Sequence, residues 1–316
     1  MVDQHPTFLY WRGERRRWED ATIHVTDLGW STIGAVFEGI RAYWNPDREE
    51  LYVFRLQEHL DRLAQSMKLV RLDLGHTTAE LTEIILDLLR ANEVRTDTYI
   101  RPLGYTANAG NKRMAQMGSD SELLISTSNM PSHLLSGMTQ DGKVSSWTRI
   151  SDSVMPPRIK NLSNYRNGQL ATMEVRQDGY DVAFMLNPQG KVAEAPGACV
   201  AIVRNGILIT PDVTSGILES ITRDALITLA REELGLDVVE RAVDRTELYL
   251  ADEIFTCGTA AEVTPVVSID RYQIGDGEIG PVTKQLESLF HAVLRGENDR
   301  WSAWRTPVWA EARVLA

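Results

Sequence analysis

Apolar positions three or four residues apart predict two helices in the first half of the chain. The spacing predicts a helix over residues 57–70, whose apolar positions are Leu60, Leu63, Met67 and Val70. A second run predicts a helix over 78–92 with Thr78 as its N-cap. Each predicted helix therefore has one apolar face.

Short apolar segments predict strands between and after these helices. In the first half they cover 7–12, 21–25, 36–43, 50–54, 99–103 and 121–127, and the first two form a predicted hairpin around Arg12-Gly13-Glu14. In the second half, strands at 182–187, 199–204, 207–209 and 254–257 alternate with helices at 164–177, 221–234 and 283–295. Residues 129–142 contain Pro131, two glycines and no clear period, which indicates a linker. The pattern predicts a mixed α+β or α/β fold with a small N-terminal domain (1–128), an interdomain linker (129–142) and a larger C-terminal domain (143–316).

Composition narrows the classes of function. A chain of 316 residues, 43% hydrophobic and 24% charged, is long enough for two domains with buried cores. The net charge of −11 argues against a nucleic-acid partner, and no lysine cluster or long apolar run indicates a membrane. The first ten residues lack a signal-peptide pattern, and Cys199 and Cys257 are too few for a disulfide framework and lack metal-ligand spacing. We expect a cytoplasmic protein without a metal site.

Lysine is rare in this chain, with six lysines against 27 arginines. A Schiff base needs an amine that can lose its proton, which a guanidinium cannot do at working pH. Lys160 is followed 34 residues later by Glu194. A pyridoxal 5'-phosphate (PLP) enzyme needs a lysine for the cofactor aldehyde and a carboxylate for its pyridine nitrogen. A solvated surface amine is the competing interpretation of Lys160.

Two segments have the character of anion-binding loops. Residues 215–224 run from a loop into a helix, and N–H groups at a helix N-terminus suit a phosphate, to which Thr222 could add its hydroxyl. Residues 256–262 are small and follow an apolar strand, so their N–H groups could form an anion nest. An ordinary cap by Ser220 or Thr222 explains the first segment as well, and a tight connection explains the second.

Two arginines lie in apolar contexts. Arg62 is next to apolar positions of its predicted helix, where an arginine usually holds an anion, although it could also snorkel or pair with Glu58. Arg101 and Tyr99 share one face of a predicted strand and could recognise a carboxylate. A structural salt bridge is the competing interpretation of Arg101.

Taken in order along the chain, these segments resemble one family. The motifs are Val36-Phe37-Glu38-Gly39-Ile40-Arg41, Arg62-Leu63, Tyr99-Ile100-Arg101-Pro102, Lys160 with Asn164-Tyr165, Glu194, Ile221-Thr222-Arg223, and the segments 251–255 and 258–265. Together they resemble the class IV, fold-type IV PLP aminotransferases, and among these the branched-chain amino acid aminotransferases. The resemblance extends from about residue 8 to residue 305.

The resemblance implies a role for each site residue. Lys160 would carry the cofactor and shuttle the proton, Glu194 would keep the pyridine nitrogen protonated, and Tyr165 would bond to the phenolate oxygen. The phosphate would be held by Arg62, the N–H groups of Ile221 and Thr222, and Thr259. The substrate side would comprise Phe37, Gly39, Arg41, Tyr99 and Arg101, with the N–H groups of Thr259 and Ala260 helping to bind the α-carboxylate.

The resemblance also implies an activity and an assembly. An amino group would pass from L-leucine, L-isoleucine or L-valine to 2-oxoglutarate by a ping-pong mechanism, in at least a homodimer. Three segments depart from the family pattern, namely residues 30–35, 106–112 and the linker at 129–134, which lacks the family's aromatic pair. An (R)-selective amine transaminase with pyruvate or 2-oxoglutarate as acceptor is therefore the main alternative, followed by a D-amino acid aminotransferase or an aminodeoxychorismate lyase. His24, His59 and His133 are interpreted as structural or surface residues and not as catalytic ones, and of the three only His133 lies in the proposed pocket wall.

Overall fold

The computed structural model describes residues 5–25, 28–107 and 121–310. The chain divides into two units. Unit 1 consists of residues 1–132, 159–163 and 293–316, and unit 2 consists of residues 133–158 and 164–292. Among the described helices, none combines the length and apolar composition needed to cross a membrane.

The first half of the chain contains seven strands and three α-helices within the described residues. In chain order they are β1 (Phe8–Trp11), β2 (Glu14–Arg17), α1 (Leu28–Ile33), β3 (Val36–Phe37), β4 (Ile40–Asn45), β5 (Glu50–Phe54), α2 (Leu56–Val70), α3 (Thr78–Ala91), β6 (Thr98–Thr106) and β7 (Ser121–Asn129).

The second half continues with a second set of strands and helices. They are β8 (Gln140–Val144), α4 (Asn164–Gln177), β9 (Val182–Phe184), β10 (Cys199–Arg204), β11 (Ile207–Thr210), α5 (Ile221–Glu232), β12 (Val238–Glu240), α6 (Arg245–Leu248), β13 (Glu253–Gly258), β14 (Glu262–Ile269), β15 (Tyr272–Gln273), α7 (Pro281–Leu294) and β16 (Arg305–Pro307).

Each unit is built on one sheet. In unit 1 the strand order is β16-β5-β4-β6-β7-β1-β2, with β3 paired to β6. The apolar faces of α2 and α3, including Leu60, Leu63, Ile85 and Leu89, join Ile40 of this sheet in one buried cluster. Apolar positions at helical spacing can all reach the same sheet face, which is why the sequence pattern predicted both helices.

In unit 2 the strand order is β12-β11-β10-β13-β14-β8-β9, with β15 paired to β14. The pairs β11–β12, β14–β8 and β8–β9 are parallel and the others are antiparallel. Val200, Ile202, Ile254 and Val266 belong to the buried cluster of this sheet. Two sheets with helices confirm the predicted mixed α/β fold class, whereas the domain boundaries stay a prediction.

Three local predictions are corrected by the structure. The returning strand of the first hairpin is β2 and not residues 21–25, because Arg12 and Gly13 adopt positive φ (54° and 81°) and turn the chain back at once. The N-cap of α3 is Thr77, which forms a capping box with Glu80, and not Thr78. The loop predicted over 256–262 is only residues 259–261, since β13 and β14 extend to Gly258 and from Glu262. Of the variant loop 106–112, residues 108–112 lie outside the described residues.

Candidate functional site

Lys160 is fixed in unit 1 through its backbone. Its N–H donates to Ser66 Oγ at 3.2 Å, and its carbonyl accepts from the Phe37 N–H at 3.0 Å. Its amine lies 5.1 Å from the centroid of the Phe37 ring, and the residue is half-buried. A half-buried amine above an aromatic ring does not fit the competing interpretation of a solvated surface lysine.

Arg62 forms a buried ion pair beside this lysine segment. Its Nε donates to Glu38 Oε1 at 2.7 Å and its Nη2 donates to Glu38 Oε2 at 2.9 Å. His59 Nδ1 lies 2.8 Å from the same Oε2. The alternative partner, Glu58, pairs with Arg55 instead. The fork uses the Nε–Nη2 edge of Arg62, so Glu38 fixes the plane of the guanidinium.

The charge states of Glu38 and His59 follow from their surroundings. Burial alone would raise the pKa of Glu38, but the charge of Arg62 and the hydrogen bonds from His59 and Arg62 hold that pKa well below its usual range. Burial lowers the pKa of His59, an effect that the neighbouring Glu38 opposes without overcoming, while the charges of Arg62 and Lys160 add to it. Glu38 is therefore ionised and His59 neutral at pH 7, with the Nδ1–H of His59 donating to Glu38.

The residues predicted for the substrate side also lie in unit 1. Tyr99 and Arg41 are directly opposite each other on β6 and β4. A Cβ atom on Gly39 would lie 2.0 Å from the Tyr99 hydroxyl oxygen, so only glycine leaves room for this ring. Arg41 is buried and its Nη2 donates to the Met130 carbonyl at 2.7 Å. Arg101 is exposed on β6.

Glu194 is a buried carboxylate in unit 2. Arg149 Nη2 lies 2.7 Å from its Oε1, and the Leu218 N–H donates to its Oε2 at 3.0 Å. Arg149 Nε also donates to the Gly216 carbonyl at 3.3 Å. Because both side chains of the ion pair are at most 10% exposed, the pair is largely withdrawn from solvent. Arg149 and Leu218 thus fix the orientation of the Glu194 carboxylate.

Helix α4 brings Tyr165 to the segment that follows Glu194. A Cβ atom on Gly197 would lie 3.9 Å from the Tyr165 ring, and Gly197 has a φ of +99°. A Cβ atom on Gly168 of the same helix would lie 2.9 Å from Pro196 Cβ. The small residue at 168 therefore allows the helix that carries Tyr165 to approach residues 196–197 closely.

The first predicted anion loop leads into the N-terminus of α5. Ser220 is the N-cap, and its side chain accepts from the Arg223 N–H rather than from the N–H groups of Ile221 and Thr222. Both of these residues are buried. Ser220 is thus an ordinary cap, as the competing interpretation held, yet the amides of the first turn point out of the helix end.

The second predicted anion loop is the turn between β13 and β14, residues 259–261. Thr259 is half-buried and Ala260 is exposed. At the base of the turn, Gly258 is opposite Glu262, and a Cβ atom on Gly258 would lie 3.3 Å from the Gly197 carbonyl oxygen. The turn thus joins two strands, β13 and β14, that pair with each other up to its base.

Three residues that support these groups were missed by sequence reasoning. Glu38 was quoted only as part of a motif, and Arg149 and Ser66 were not considered. Arg149 precedes its partner Glu194 by 45 residues, and Glu38 precedes Arg62 by 24. No local period links such pairs, so the only available signal was the charge of Glu38 within an otherwise apolar motif.

Known proteins resemble this chain over nearly its whole length. The model of the family "Amino-transferase class IV" matches residues 35–269. The probable branched-chain-amino-acid aminotransferase of Aquifex aeolicus is 42% identical over 302 residues, covering 96% of this chain and 97% of that protein. The crystal structure of the branched-chain amino acid aminotransferase from Thermobaculum terrenum in its PLP form is 51% identical, with a TM-score of 0.93 over 96% of this chain and 99% of that one.

A third relative is more distant and carries an amino acid ligand. The crystal structure of the branched-chain aminotransferase from Thermoproteus uzoniensis with norvaline is 37% identical with a TM-score of 0.89, over 96% of this chain and 99% of that chain. The family model and the full-length relatives confirm the resemblance predicted from the sequence. This chain belongs to the class IV aminotransferase family and has its fold-type IV architecture.

Proposed function

We propose that this protein is a PLP-dependent transaminase that moves an amino group from L-leucine, L-isoleucine or L-valine to 2-oxoglutarate by a ping-pong mechanism. The observation that carries the proposal is Lys160, a half-buried amine anchored to Phe37 and to Ser66 of α2, the helix that also carries Arg62. Family membership and the names of the full-length relatives support the same activity.

The residues present fit the cofactor on three counts. Glu194 is a buried carboxylate paired with a cation, which keeps it ionised as an acceptor for a protonated pyridine nitrogen. Helix α5 begins at Ile221, and backbone amides at a helix N-terminus suit a phosphate. Lys160 supplies an amine in a partly apolar setting. When bound, PLP supplies an electron sink that accepts the charge left at the substrate α-carbon.

Each residue then has a proposed task around that chemistry. Lys160 Nζ would hold the cofactor covalently and would act on the substrate α-proton as general base and then as general acid. Glu194 would bind the pyridine N–H and Tyr165 the phenolate oxygen. Arg62, Thr259 and the N–H groups of Ile221 and Thr222 would hold the phosphate.

The substrate is held by a second set of groups. The N–H groups of Thr259 and Ala260 would help to bind the α-carboxylate, and Phe37, Gly39, Arg41, Tyr99 and Arg101 would belong to the substrate side. The partners are thus a small amino donor and a keto-acid acceptor. We also propose a homodimer, which light scattering would report as twice the chain mass of 35.5 kDa. A cytoplasmic location is consistent with two buried cysteines that are both free.

A donor panel tests the proposal. The purified protein with PLP is offered L-leucine, D-alanine and (R)-1-phenylethylamine, each with 2-oxoglutarate and with pyruvate. We expect L-leucine with 2-oxoglutarate to be the best pair, and Lys160→Ala to abolish both turnover and the visible absorbance of the lysine-bound cofactor. A protein that gains no absorbance with PLP would contradict PLP chemistry, and exclusive use of D-alanine or of the (R)-amine would contradict the substrate class.

A further inference from the structure

His133 joins the start of unit 2 to the turn at residues 259–261. Its Nδ1 lies 3.0 Å from Glu262 Oε2, and its Nε2 lies 3.0 Å from both the Ala261 carbonyl oxygen and Thr264 Oγ1. Its backbone N–H donates to the same Glu262 Oε2 at 2.9 Å. The sequence predicted a structural or surface residue here, and in the structure the His133 ring contacts both the last residue of the turn and the first residue of β14.

These contacts fix one particular peptide group. Thr264 Oγ1 donates to the Ala261 carbonyl at 2.6 Å, so this carbonyl is held by the hydroxyl and by the His133 ring. A carbonyl oxygen only accepts hydrogen bonds, so its contact with His133 Nε2 is a hydrogen bond when that nitrogen carries a proton. The orientation of the Ala261 peptide is thereby set from outside the turn.

The residue that follows the turn has an unfavourable backbone conformation. Glu262 is completely buried and adopts a φ of +47°, a backbone region that costs a non-glycine residue free energy. Without external contacts, a three-residue turn that is followed by such a residue would relax toward other conformations. The ring of His133 bonds to the residues on both sides of the 261–262 peptide and opposes this relaxation.

We propose that His133 is a positioning residue for substrate binding: through Ala261 and Glu262 it keeps the N–H groups of Thr259 and Ala260 aimed at the substrate carboxylate. The inference rests on the proposed function of this turn. Substituting His133 removes the ring contacts to the turn but keeps the hydrogen bond from its backbone N–H to Glu262. A substitution can therefore change the orientation of the turn while residue 133 stays attached to β14.

The experiment compares ligands that differ in the carboxylate alone. For wild type, His133→Ala and Thr264→Val, we would measure the KM and kcat for L-leucine and the PLP dissociation constant. We would also measure inhibition by 4-methylvaleric acid and by its neutral amide. His76→Ala is the matched control, because His76 contacts Tyr10 in unit 1. His133→Gln, which keeps one donor, replaces His133→Ala if the latter does not fold.

The proposal predicts a selective loss of affinity for carboxylates. In His133→Ala the KM for L-leucine and the inhibition constant of 4-methylvaleric acid should rise about tenfold, with a smaller rise in Thr264→Val. The kcat, the binding of the neutral amide and the PLP dissociation constant should change less than about twofold. Affinity for the acid at the wild-type level, or equal losses for acid and amide, would overturn the inference. An inactive wild type would instead contradict the proposed function.

Discussion

At the scale of the residue, the best-defined electrostatic feature of unit 2 is the Glu194–Arg149 pair. Breaking a buried pair by removing one partner leaves a charge that cannot be solvated, which costs about 3–5 kcal/mol. We predict that Arg149→Met lowers the free energy of urea unfolding by about 3 kcal/mol and weakens PLP binding. The double variant Arg149→Met/Glu194→Gln should recover part of the stability but not the activity. Wild-type stability of the single variant would show that the Arg149 charge does not support Glu194.

Gly39 presents a steric test on the substrate side. Its missing Cβ leaves room for the Tyr99 hydroxyl, which would otherwise lie 2.0 Å away. We predict that Gly39→Ala displaces Tyr99 and lowers kcat/KM for L-leucine at least about tenfold. Gly34→Ala is the control, since a Cβ there meets no atom within 4 Å. Equal kcat/KM values for the two variants would show that the position of Tyr99 does not affect substrate binding.

What the sequence could predict at this scale was the reacting chemistry. PLP chemistry was predicted from Lys160 and Glu194, because few residue types can form a Schiff base or pair with a pyridine nitrogen, and the roles of these two residues stay a prediction. Arg149 could not be predicted in the same way, since an arginine suits many surface positions and becomes distinctive only when its partner is buried beside it. Glu38 shows the same limit, because its importance to Arg62 depends on tertiary packing.

At the scale of the element, helix α4 contains a glycine, Gly168, a residue type with low helix propensity. Gly168 costs about 1 kcal/mol relative to alanine within a helix, yet a Cβ there would meet Pro196 Cβ at 2.9 Å. We predict that Gly168→Val lowers the free energy of unfolding by about 1–3 kcal/mol. Activity should fall too, because Tyr165 is carried by the same helix. Gln169→Ala, at an exposed position of α4, should leave both unchanged; a stabilised Gly168→Val would contradict the close approach.

Elements whose pattern is set by local burial were predicted well, and the others were not. The segments 57–70 and 164–177 match α2 and α4 within one residue because one face of each helix is apolar. By contrast, β12 was missed because it is a short, largely exposed strand. β14 was missed because Pro265 interrupts its apolar run, although this proline lies within the antiparallel pair with β13. Pairing partners distant in sequence decide such strands.

At the scale of the whole molecule, the buried pair of Glu38 and His59 predicts how stability depends on pH. In the folded protein the pKa of His59 is below its ordinary value of 6.5. As pH falls below 6.5, His59 therefore becomes protonated in the unfolded chain before it does so in the folded chain, which lowers the free energy of unfolding. The pKa of Glu38 is also lowered, from an ordinary 4.5. Its contribution is complete above pH 4.5 and is lost as pH falls toward its folded-state pKa. Both groups therefore make acid destabilising, His59 first.

The window between pH 8 and pH 5.5 isolates the contribution of His59. Because the folded-state pKa of His59 is lowered, wild-type stability to urea should fall over this window, by at most about 1.4 kcal/mol per pH unit from His59 alone. His59→Gln is less stable at pH 8, since it alters a buried contact to Glu38. Its stability should nevertheless change less between the two pH values than that of wild type. The same pH dependence of urea unfolding for both proteins would contradict this prediction. It would mean that folding does not hinder protonation of His59, and that a neutral imidazole does not hold the helix that carries Arg62.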